Sequence, residues 1–70
     1  MNQFIIDTKH ILKTVANIDV KTVLLEEDHK CTIVCNSDAI PRQIKKAIER
    51  RYYTLFKEEC DLFVEVLNKQ

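Results

Sequence analysis

The chain contains no glycine and one proline in 70 residues. Glycine lets a backbone approach a phosphate without a Cβ in the way. Its absence excludes the Gly-rich loop of P-loop enzymes and the dinucleotide-binding fingerprint. It also removes the commonest mark of a helix stop, so element boundaries must come from Asn, Asp and hydrophobic period.

Residues 1–70 form one domain, because two cores will not fit in this length. A chain this short buries only about 60% of its unfolded surface, so an isolated monomer would be marginal. Apolar residues make up 46% and charged residues 31%, a globular composition. Lys+Arg is 11 and Asp+Glu is 11, which argues against wholesale electrostatic binding of nucleic acid while leaving room for a local patch. Met1-Asn2-Gln3-Phe4-Ile5-Ile6-Asp7 has neither the basic start nor the apolar stretch of a signal peptide. No apolar run reaches the roughly 18 residues of a membrane span. Cys31, Cys35 and Cys60 are an odd set without an export signal, so reduced thiols and a cytoplasmic location are expected.

Phe4, Ile5, Ile11, Leu12, Val15 and Ile18 fall at helical spacing, with Ile6 off the stripe and Asp7 or Thr8 a better N-cap than Asn2. A helix from about residue 3 and a short strand at 2–6 followed by a helix from about Thr8 both fit; the second is preferred. Val20 to Glu26 and Cys31 to Cys35 are rich in β-branched residues around Glu27-Asp28-His29-Lys30, which predicts a β-hairpin. Cys31, Ile33 and Cys35 share one face of its second strand. Asn36-Ser37-Asp38 supplies capping residues, and Ile44, Ala47, Ile48, Tyr52, Leu55 and Phe56 predict a helix over about 40–57. Beyond it, Asp61-Leu62-Phe63-Val64-Glu65-Val66-Leu67 reads as a final strand. The alternative continues the helix through Cys60, Phe63 and Leu67, which would give an αββα protein with a β-hairpin and a long C-terminal helix.

Strand, helix, hairpin, helix and strand give an α+β, ferredoxin-like βαββαβ order. Val20-Lys21-Thr22-Val23, Ile33-Val34, Ile40-Pro41, Ile44-Lys45-Lys46-Ala47-Ile48-Glu49 and Tyr52 together resemble the small heavy-metal-associated domains. The resemblance implies that fold. It does not carry over soft-metal binding, because the family's two metal-binding cysteines fall on Phe4-Ile5-Ile6-Asp7, where no thiol stands. The family's usual glycine before the hairpin is replaced by Asp19.

Cys31 and Cys35 are four apart on a strand, roughly 13 Å at about 3.3 Å per residue. A disulfide needs Cα atoms within about 7 Å, so the plain account is two small buried hydrophobes. Cys60 is flanked by Glu58, Glu59 and Asp61, which raise a thiol's pKa and make a poor nucleophile. His10, His29 and Ser37 show no base-and-orienter arrangement, and Ser37 is explained as a cap. No enzyme, cofactor or metal is expected.

Two surfaces remain. Arg42, Lys45, Lys46, Arg50 and Tyr53 share a helix face with Glu49, opposite the apolar stripe. It reads as a solvated face with Glu49 pairing to a lysine, as a site for an acidic protein, or as a track for a phosphate backbone. The acidic blocks Glu26-Glu27-Asp28 and Glu58-Glu59-Asp61 lie elsewhere, which makes the surface dipolar and favours oriented or head-to-tail contact. The outer face of the sheet is expected to carry some of Val23, Leu25, Val34, Val64 and Val66 and to need a cover. The expected function is a small non-enzymatic regulator or inhibitor, including one encoded by a mobile element. It would bind another protein through the open sheet face or the basic helix, with homodimerisation as an accompaniment. The alternative is a nucleic-acid-binding regulator that uses the basic face of helix 41–57. The hairpin strands carry no aromatic residue on which bases could stack.

Overall fold

The computed structural model describes residues 2–67. The order is α1 (Gln3–Ala16), β1 (Val20–Glu26), β2 (Lys30–Cys35), α2 (Arg42–Phe56) and β3 (Asp61–Val66), with a tight turn at Glu27–His29 between β1 and β2. The protein is α+β, with a three-stranded mixed sheet in the order β1-β2-β3. β2 pairs antiparallel with β1 and parallel with β3.

The strand expected at 2–6 is helix. Asn2 is the N-cap, with its side chain accepting from the backbone N–H of Phe4 at 2.8 Å and of Ile5 at 3.4 Å. The buried stripe of α1 is Phe4, Thr8 and Leu12, at four-residue spacing. Thr8 is a polar member that hides the period from an apolar count. Neither Asp7 nor Thr8 is a cap, and Ile6 points outward at 40% exposed. The βαββαβ order is corrected accordingly. In that fold the first strand lies between the two strands that flank the second helix. Here those strands, β2 and β3, pair with each other directly.

The long-helix αββα alternative does not form, because α2 ends at Lys57, whose φ of 62° and ψ of 24° are left-handed. Among the described residues Asn17 at φ 55°, Asp28 at 59° and His29 at 58° are the other left-handed positions. Each puts a Cβ where glycine is ordinarily found, at a cost of roughly 1–2 kcal/mol that is smallest for Asn and Asp.

β1 does not alternate in sequence, and a bulge explains why. Val20 pairs with Cys35 while Thr22 pairs with Val34, so Lys21 is an extra residue between them. The bulge lets Val20, Val23 and Leu25 all face the helices. Phe4 and Leu12 of α1, Ile44, Ile48 and Tyr52 of α2, and Val23, Cys31, Ile33 and Cys35 of the sheet form one core. Both helices therefore cover the same sheet face. Asp7 joins the two helices through a 2.6 Å ion pair with Arg51. Gln3 donates to the same carboxyl, and the two partners hold it below its ordinary pKa.

The caps of α2 differ from expectation. Pro41 is the N-cap and gives no side-chain bond, while the Ser37 hydroxyl accepts from Ala39 N–H instead.

Candidate functional site

The sheet face turned away from the helices is built from three rows fixed by strand register. Leu24, Thr32 and Phe63 form the middle row; Glu26, Lys30 and Asp61 form one flanking row. Thr22, Val34 and Glu65 form the other. Leu24 is 46% exposed and Phe63 50%, either side of the central strand. The Lys30 ammonium lies 5.2 Å from the centroid of the Phe63 ring, within cation–π range. Three carboxylates and one ammonium rim this apolar centre.

Of the residues expected on this face, only Val34 is placed there, and it is buried at 5% exposed. Val23 is in the core, Leu25 and Val64 pack against it, and Val66 is in register with the inward Cys35. The bulge at Lys21 sets Val23 and Leu25 inward, while Val64 and Val66 follow their inward β2 partners Ile33 and Cys35. Leu24 and Phe63 each stand in an unbroken apolar run, Val23-Leu24-Leu25 and Leu62-Phe63-Val64, so spacing alone does not single them out. Only the pairing partner decides which member of such a run turns outward.

The basic face falls on one flank of α2. Arg42, Lys46 and Arg50 are exposed, Tyr53 is 53% exposed, and Lys45 is half-buried. Among the described residues the ion pairs are Lys13–Asp19 and Asp7–Arg51, so the expected pairing of Glu49 with Lys45 or Lys46 does not form. The first turn of α2 contains no acidic residue, so its cations stand against the positive end of the helix dipole.

Between α2 and the segment leading into β3, Glu49, Arg50, Tyr53, Glu59 and Cys60 line a groove of about 340 Å³. The Cys60 thiol is pushed up in pKa by burial first and by Glu49 next, with Asp61 adding to it. Burial pushes Cys31 up to about 12. Neither thiol is poised as a nucleophile. Among the described residues no group of three His, Cys, Asp or Glu side chains could hold a metal ion. No described helix is long and apolar enough to cross a membrane.

The acidic blocks Glu26-Glu27-Asp28 and Glu58-Glu59-Asp61 meet at one end of the sheet, because Lys30 after the hairpin turn pairs with Asp61 at the start of β3. The first turn of α2, with Arg42 and Lys45, lies toward the other end. Comparison with protein-family models, with curated proteins and with solved structures finds no match to this chain.

Proposed function

We propose that this chain is a non-enzymatic interaction module, a small regulator or inhibitor that docks another protein on the open face of its sheet. The observation that supports it is the pair Leu24 and Phe63, two large apolar side chains about half exposed on the two strands that flank β2. Burying both against a partner contributes roughly 25 cal/mol for each Å² removed from water. The rim of Glu26, Asp61 and Glu65 against Lys30 calls for a partner with net positive charge around its apolar anchor. The same rim repels a phosphate backbone, which counts against nucleic acid on this face even though Phe63 could stack a base. The three cysteines are free, which suits a reducing compartment such as the cytosol.

The test is a nuclease-treated pull-down with the wild-type chain beside a Leu24→Asp/Phe63→Asp variant whose circular dichroism is unchanged. A protein held by the first and lost from the second supports docking on this face. Equal retention by both would place the contact elsewhere.

A further inference from the structure

We propose that copies of this chain associate head to tail, the basic flank of α2 in one copy lying across the open sheet face of the next. The inference rests on the reading of that sheet face as a docking surface, and adds a second copy as an occupant.

Charge is the first support. The flank carries Arg42, Lys45, Lys46 and Arg50 against one carboxylate, Glu49. The sheet face carries Glu26, Asp61 and Glu65 against one ammonium, Lys30. Among the described residues neither set is paired off, since the ion pairs there involve other side chains. The formal net charge of +0 leaves no long-range repulsion between copies.

The α2 dipole points the same way. Arg42 and Lys45 stand in or next to a first turn that has no acid and no side-chain cap. A neighbour's carboxylates beside this turn would offset an unfavourable field that the chain leaves uncorrected.

Size and anchors also agree. At about 1.5 Å per residue, α2 is roughly 22 Å long, and a six-residue strand at about 3.3 Å per residue is roughly 20 Å. The helix flank ends on Tyr53 at 53% exposed, and the sheet face centres on Phe63 at 50%. Each surface thus brings one half-exposed aromatic ring to the contact.

The two surfaces differ, so the contact is heterologous. Every copy that uses its flank keeps its sheet face free, and association continues beyond two unless a ring closes.

Sedimentation velocity on the full chain tests this across concentration and salt. At low salt the average mass is expected to rise past that of a dimer and to fall toward the monomer as salt increases. A Lys45→Glu/Lys46→Glu variant lacks a working flank, and Phe63→Asp lacks a working face. Each alone is expected to be monomeric, and an equimolar mixture is expected to form a one-to-one pair and stop there. A wild-type chain that stays monomeric at low salt overturns self-association. So does a dimer that survives either substitution, or a mixture that does not pair. If the monomeric wild type still captures a foreign protein through Phe63, self-association alone is refuted and the docking face stands. Loss of that capture as well refutes both.

Discussion

The hydroxyl of Tyr52 lies 3.0 Å from Nδ1 of His29, fastening the hairpin turn to α2. The two rings meet edge to face, 6.0 Å between centroids at 84°, and the ring of Phe4 meets Tyr52 in the same manner at 5.2 Å. His29 holds this contact from a left-handed backbone position, φ 58°. Without glycine in the turn, the side-chain bond to Tyr52 offsets part of the local strain.

Tyr52→Phe is expected to lower stability by about 1 kcal/mol, the usual net worth of one hydrogen bond. Urea denaturation would show a lower midpoint at unchanged slope. An unmoved midpoint would show that the bond contributes nothing in solution.

Stability is expected to fall in alkali. Burial raises the Cys31 thiol from its ordinary 9.0 to about 12, so above pH 9 the unfolded chain releases a proton that the fold retains. The folded state then binds more protons, and stability declines by about 1.4 kcal/mol per pH unit until the folded thiol itself titrates. Tyr52 and Cys60 are raised in the same direction, each by burial first, and steepen the decline. Denaturation midpoints measured from pH 8 to 11 should drop for the wild type and drop less steeply for Cys31→Ala. Parallel curves for the two proteins would remove Cys31 from the account.

Lys57→Gly is expected to stabilise the chain by about 1 kcal/mol. Lys57 ends α2 in left-handed geometry, its N–H bonded to Tyr53 O at 2.7 Å, and glycine takes that conformation without a Cβ penalty. Calorimetry should show a higher melting temperature, and a lower one would mean that the lysine side chain itself holds the cap.

Thr8→Val is expected to gain about 1 kcal/mol. The Thr8 hydroxyl is buried without a hydrogen-bond partner, so its desolvation is uncompensated. Valine keeps the shape and removes the polar atom. A loss on denaturant titration would show that the hydroxyl is satisfied in solution.

The hairpin, α2 and β3 were legible because β-branched runs and a regular apolar stripe state their period directly. The first turns of α1 were not, since Asn2 and Thr8 do there what an acid or an apolar residue does elsewhere. The basic flank could be read from spacing alone, because a helix face depends only on its own residues. The open sheet face could not, because which of Val23, Leu24 and Leu25 turns outward depends on partners in another strand. Direct β2–β3 pairing was likewise invisible, being fixed only once residues 3–6 are helical.

The bulge at Lys21 makes β1 sensitive to length more than to identity. Any polar side chain at this exposed position leaves Val23 and Leu25 facing inward. Deleting the residue would instead shift the strand's phase against β2, pulling Val20 away from Cys35 or turning Val23 and Leu25 out to solvent. A substitution scan here should therefore come out nearly flat, while a single-codon deletion should abolish folding.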